Sequence, residues 1–140
     1  MQQTNKQKKA FLRQYWDFTR KERELAQEIE ALRSRYIGQA IQYSDMPKTY
    51  NTEHDLSDYM SKLEPLLNKL EERRDAAIAA YHEIEDAIEQ MADEHEQRLL
   101  RLRYLQGMIW DEVADAMLYS KRQTLRLHGT ALEHFTIPRR

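Results

Sequence analysis

The sequence predicts an all-α protein: a long antiparallel helical hairpin of coiled-coil type, then a C-terminal helix-turn-helix. Three observations predict it. Apolar residues recur at alternating steps of four and three along two long stretches, the period of a helix with one buried seam. The 140 residues include only 3 Gly and 3 Pro, and 33% are charged, which suits solvated helices better than a sheet with many turns. The last third holds two short apolar faces separated by a tight turn, the second behind a serine and fronted by basic residues.

Residues 1–7 are polar, and the first helix is expected from near Lys8 to about Gln42. Its seam is Phe11, Tyr15, Phe18, Glu22, Leu25, Ile29, Leu32 and Tyr36, with Glu22 the one charged position. Met46-Pro47 interrupts the pattern, because a residue before proline is pushed out of the α region, so a loop is expected near 43–53. The second helix is expected from near His54 to about Met91. Its seam is Leu56, Met60, Leu63, Leu67, Leu70, Arg74, Ala77, Tyr81, Ile84, Ile88 and Met91. Pro65 lies opposite that seam, where it produces a local kink rather than a break. Setting Leu25 against Leu70 places Tyr36 by Met60, Tyr15 by Tyr81, and the two charged seam residues, Glu22 and Arg74, together. The same seams also suit a parallel dimer. Asp93 with Glu96 has the form of a helix-start pair, so a boundary falls between Met91 and Asp93. Residues 1–91 are thus read as the hairpin and residues 92–140 as the helix-turn-helix domain.

Within that domain Val113, Ala114 and Met117 give a short apolar face behind Trp110. Leu118 and Tyr119 make the turn, and Ser120 is a favoured N-cap because its hydroxyl accepts an orphan backbone N–H. Thr124, Leu127, Ala131 and Phe135 recur at helical spacing and face inward. Lys121, Arg122, Leu125 and Arg126 fall on the opposite face. A basic, exposed front half of a second helix suits major-groove docking, since recognition helices reach base edges with their N-terminal turns. The candidate DNA-binding residues are Ser120, Lys121, Arg122, Gln123, Leu125 and Arg126. Arg122 is read as a guanine contact and Lys121 as a phosphate contact; Arg126 suits either. Gln123 suits an adenine edge or a simple boundary role. Arg101 and Arg103 are weaker candidates for phosphates, and Trp110 suits packing or an indole N–H to a phosphate. Gly129 costs about 1 kcal/mol in a helix interior relative to Ala; it marks a close backbone approach or a tolerated weak spot.

Charge distribution agrees with that placement. The net charge is -2, but residues 54–97 hold 4 Lys/Arg against 13 Asp/Glu, whereas residues 98–140 hold 8 against 4. A basic end beyond an acidic middle puts the electrostatic footprint on the proposed reader. There is no Cys, which excludes disulfides and thiolate metal sites and fits a reducing cytoplasm. The longest apolar run, Ala76 to Tyr81, is far short of a membrane span, and no secretory signal is evident. His82-Glu83 and His95-Glu96 are not followed by the second His that zinc-protease spacing requires, so neither metal nor cofactor is expected. No phosphate-binding glycine loop or nucleophile triad stands out, and no enzyme is expected.

The phrases RLRYLQGM, WDEVADAM and YSKRQTLRLHGTAL resemble region 4 of sigma-70-type factors. More closely they resemble the ArpU/RinA-type late-transcription regulators of phages and prophages of Gram-positive bacteria, as does DMPKTYNTEHDLSDYMSKLE, Asp45 to Glu64. Two positions depart from the sigma pattern: Thr124 stands where an aliphatic core residue is usual, and Gly129 interrupts the recognition helix. The resemblance implies sequence-specific binding of double-stranded DNA, control of late genes and a place in the cytoplasm of a bacterial host. RNA polymerase and a second copy, held through the coiled coil, are the further partners considered. Two rival functions remain. Small terminase subunits also join a helix-turn-helix to a helical oligomerisation region, and a ring-shaped assembly would favour that reading. A coiled-coil partner of RNA polymerase with a vestigial helix-turn-helix would bind no DNA.

Overall fold

The computed structural model describes residues 2–43 and 52–139, and side chains outside 38–55. Among the described residues the chain is all-α: α1 (Asn5–Leu12), α2 (Gln14–Tyr43), α3 (Thr52–Glu89), α4 (Glu94–Leu100), a π-helical turn (Arg101–Leu105), α5 (Trp110–Met117) and α6 (Lys121–His134). The loop expected near 43–53 falls on residues outside the described ones, apart from the helical residues at its ends. The chain divides into two compact units: Met1–Phe18 with Ala76–Arg140, and Thr19–Asp75. The expected division at 91/92 and this one differ, because the first 18 residues and the end of α3 pack with the C-terminal helices.

In the Thr19–Asp75 unit α2 and α3 contact each other in opposite directions. The Arg74 guanidinium donates to Glu22 at 3.0 Å, and Arg73 donates to the Lys21 carbonyl at 2.9 Å. Further along, the Tyr36 hydroxyl donates to Asp58, and the Tyr36 ring lies 4.9 Å from that of Tyr59. On α2 the expected seam is the inward one: Leu25 and Leu32 are buried, and Glu22, Ile29 and Tyr36 are half-buried. On α3 the half-buried stripe is rotated. Tyr59, Leu63, Leu66, Leu70 and Arg73 turn inward, while Leu56, Met60, Leu67 and Arg74 from the expected seam are exposed. Of the expected positions in this unit Leu63 and Leu70 are shared, while Met60, Leu67 and Arg74 each give way to the residue before. Leu66 and Leu67 have equal transfer free energy, so hydropathy alone does not choose between them. The helix runs on through Pro65, which is exposed; the hydrogen bond it removes lies on the solvent side.

The other unit has a continuous apolar core. α1 begins three residues before the expected Lys8, because Thr4 caps it: the Thr4 hydroxyl accepts from the Gln7 N–H at 3.2 Å and Gln7 returns the bond to the Thr4 N–H at 2.9 Å. Phe11 and Leu12 then enter the core with Ile84 and Ile88 at the end of α3, Met91 just beyond it, Leu99 and Leu100 of α4, Leu132 of α6 and Phe135, which follows α6. The Phe11 and Phe135 rings are 5.9 Å apart, and Tyr15 meets Tyr81 edge-on at 5.3 Å. The Lys8 ammonium is buried and donates to the Leu132 carbonyl at 2.6 Å and to that of Glu133 at 3.3 Å. It thereby satisfies orphan carbonyls at the negative end of α6. Gln3 exchanges two hydrogen bonds with the Ile137 backbone, at 3.0 and 2.7 Å.

α4 starts where the capping pair predicts, with the Asp93 carboxylate accepting from the N–H groups of His95 and Glu96. Glu96 itself does not reach back. It is buried, and the imidazole of His134 on α6 lies 2.8 Å from its carboxylate. The helix then widens by one residue per turn over Arg101–Leu105, with the Gln106 N–H donating to the Arg101 carbonyl at 2.9 Å. Gly107 at φ 71° supplies the left-handed residue that turns the chain toward α5.

Candidate nucleic-acid interface

α5 and α6 are joined by a Schellman turn. The Tyr119 N–H donates to the Ala114 carbonyl at 3.0 Å and the Leu118 N–H to that of Asp115 at 3.3 Å. The residue between them that must be left-handed is Leu118, at φ 60° and ψ 37°. Glycine normally holds that position, since a Cβ there costs roughly 1–2 kcal/mol. Leu118 is also 91% exposed, so no burial offsets the strain.

α6 opens with a complete capping box. The Ser120 hydroxyl accepts from the Gln123 N–H at 3.1 Å, and the Gln123 carboxamide accepts from the Ser120 N–H at 3.1 Å. Gln123 therefore spends its side-chain oxygen on its own helix, which answers its boundary role more directly than base contact. Behind this turn the helix is locked. Thr124 is fully buried, and its hydroxyl donates to the Ser120 carbonyl at 2.9 Å, so a polar residue satisfies itself at an aliphatic position. His128 is buried with its Nε2 2.8 Å from the Tyr104 hydroxyl, and the Trp110 ring lies 4.5 Å from its own. Burial first, then the positive charges of Lys9, Arg103 and Arg13, pull the His128 pKa down to about 4.

The outer face is different in kind. Lys121, Arg122, Leu125 and Arg126 are all exposed. Lys121 pairs with Asp111 of α5 at 3.3 Å, both side chains more than half exposed, a contact worth at most about 1 kcal/mol and easily exchanged for another anion. The guanidinium groups of Arg122 and Arg126 make no hydrogen bond or ion pair with the described residues. A shallow groove of Tyr119, Gln123, Arg126, Leu127 and Thr130 runs beside them. The structure thus brings Ser120, Lys121, Arg122, Gln123, Leu125 and Arg126 onto one capped helix start, with Ser120 and Gln123 as its cap and the rest as its outer surface.

Arg101 and Arg103 have other occupations. Arg101 pairs with Glu85 at 2.7 Å, which raises its pKa further, and also reaches Gln97. The Arg103 guanidinium sits between the rings of Trp16 and Trp110, 4.9 and 4.6 Å from their centroids, and donates to the Met108 carbonyl at 2.8 Å. Burial lowers its pKa. Both hold the domain together, and Trp110 packs. Lysine and arginine spacing alone does not disclose those stacking partners, because Trp16 comes from the other end of the chain.

Among the described residues no group of three His, Asp or Glu side chains is placed to hold a metal ion, and no helix is long and apolar enough to cross a membrane. The chain matches no family model, no curated protein and no solved structure at a significant level.

Proposed function

We propose that this protein binds double-stranded DNA sequence-specifically and regulates transcription, in the manner of the ArpU/RinA-type phage and prophage regulators that its C-terminal third resembles. In this reading α5, the Leu118–Tyr119 turn and α6 are a sigma region-4-like helix-turn-helix. α6 lies in the major groove with its first turns at the base edges, and Thr19–Asp75 belongs to an antiparallel coiled-coil hairpin. The observation that carries the reading is the contrast between the two faces of α6: a capped, buried inner face, and an outer one with two arginines whose guanidinium groups pair with none of the described residues. An unpaired, pre-positioned guanidinium is suited to the O6 and N7 acceptors of guanine. The excess of Lys/Arg over Asp/Glu in residues 98–140 supports the same surface.

Salt titrations on a duplex enriched from a randomised library, and on its scrambled counterpart, test the reading. Arg122→Ala is expected to cost roughly 1–3 kcal/mol on the enriched duplex and to relax preference at one base pair. Lys121→Ala is expected to weaken both duplexes alike and to reduce the salt slope by about one. Unchanged affinity and preference in Arg122→Ala would remove α6 as the reader.

A second surface carries a partner reading. Leu56, Met60 and Leu67 on α3 are 61%, 50% and 46% exposed and lie along one helical face. Such a stripe suits a second copy of the chain, which would give the DNA reader a useful bivalence, or a face of RNA polymerase. A concentration-dependent sedimentation profile distinguishes self-association from the latter.

A further inference from the structure

Gly129 stands in the ninth position of the 14-residue α6, an interior site where glycine weakens a helix. Glycines at such sites usually answer an internal need: a left-handed backbone, or a neighbouring atom where a Cβ would be. Neither applies. Gly129 is helical, without the positive φ of Gly107, and a Cβ built on it meets no atom within 4 Å beyond its own stretch of helix backbone and its two chain neighbours. The fold itself tolerates a side chain there.

The position relative to the basic face is specific. Seven residues is close to two full turns, so Gly129 lies almost directly behind Arg122, about 10 Å along the axis. Arg126 and Leu125 lie between them on the same stripe, and Lys121 flanks it. That stripe is basic, exposed from Lys121 to Arg126, and ends at the half-buried Gly129, which has no side chain. The complementary surface is polyanionic and grooved, as a DNA duplex is.

We propose that Gly129 is the point of closest approach between the α6 backbone and DNA: its missing side chain lets the helix seat deeply enough for Arg122 and Arg126 to reach the groove. This rests on the DNA-binding reading and deepens it by assigning a positioning role to a residue without a functional group. The occupant is the wall of the major groove of a B-form duplex, whose phosphates the neighbouring lysine and arginines meet.

The test uses the full chain with Gly129→Ala and Gly129→Leu, thermal melts, and binding to the library-enriched duplex. Gly129→Ala is expected to raise the melting temperature, because Ala is the better helix former and has room. Affinity for the duplex is expected to fall at least several-fold in Gly129→Ala and further in Gly129→Leu, graded by side-chain size. Affinity unchanged in both variants, with Arg122→Ala still impaired, would overturn the close approach and leave DNA reading intact. A fall in melting temperature for Gly129→Ala would also overturn it, since the glycine would then serve the fold. If the wild-type chain binds no duplex, this inference and the reading beneath it both fall.

Discussion

Replacing Leu12 with Ala tests whether the N-terminal segment is part of the C-terminal domain's core. Leu12 is fully buried among residues from α3, α4 and α6. The substitution removes three carbons, worth about 0.8 kcal/mol each by transfer, and leaves a cavity that a core built from four helices closes only in part. The expected loss is roughly 3–4 kcal/mol. The chain has 2 Trp residues, Trp16 and Trp110, and both belong to this unit, so tryptophan fluorescence during urea unfolding reports on it selectively. Leu67→Ala serves as the control, because Leu67 is 46% exposed and lies in the other unit; it is expected to leave the fluorescence midpoint nearly unmoved. A fragment of residues 92–140 lacks Phe11, Leu12, Ile84 and Ile88 and is expected not to unfold cooperatively. A loss below about 1 kcal/mol for Leu12→Ala, or a cooperative transition in the fragment, would refute the shared core.

Three further outcomes are expected. The folded pKa of His128, about 4, lies below the ordinary 6.5, so the fold favours the neutral ring: stability is complete above pH 6.5 and declines as pH falls from there toward 4. The gap corresponds to at most about 3 kcal/mol, and partial access to water brings it to roughly 2 kcal/mol; urea midpoints at several pH values, compared with His128→Gln, isolate this slope, and parallel slopes would disprove it. Leu118→Gly is expected to stabilise the chain by up to about 1 kcal/mol, because relief of left-handed strain exceeds the entropic cost of glycine; a lower melting temperature would contradict the geometry. Leu125, 44% exposed between two arginines, is expected to touch a thymine methyl: replacing one thymine of the enriched duplex by deoxyuridine is expected to cost about 1 kcal/mol, with no such effect in Leu125→Ala.

Helical period and capping chemistry were legible because both are local. The α2 seam, the Asp93 start of α4 and the Ser120 cap follow from residues within one or two turns of each other. The Thr4-Asn5-Lys6-Gln7 signature was equally local, yet its polar character masked it, and the first helix was expected to begin later than it does. On α3 adjacent apolar residues such as Leu66 and Leu67, or Ala80 and Tyr81, left the rotation of the seam undetermined by a full residue. The Glu22–Arg74 pairing emerged all the same, because a long side chain reaches its partner from the flank of the interface. What the sequence concealed is non-local: Arg103 needs Trp16, Lys8 needs the end of α6, and neither pairing follows from hydropathy. Arg122 and Arg126 were recognisable by their place opposite the Thr124, Leu127 and Ala131 face, and both are exposed.

The bonds from Lys8 to Leu132 and from Gln3 to Ile137 span 124 and 134 residues. Contacts of such separation form more slowly than the local ones within each helix, because the chain between them must be ordered first. Closing so long a loop carries an entropic cost that grows with its length. The Arg74–Glu22 contact spans only 52 residues, so its formation first would shorten the remaining search. In that order the buried Lys8 cap at the end of α6 would be among the last contacts to form.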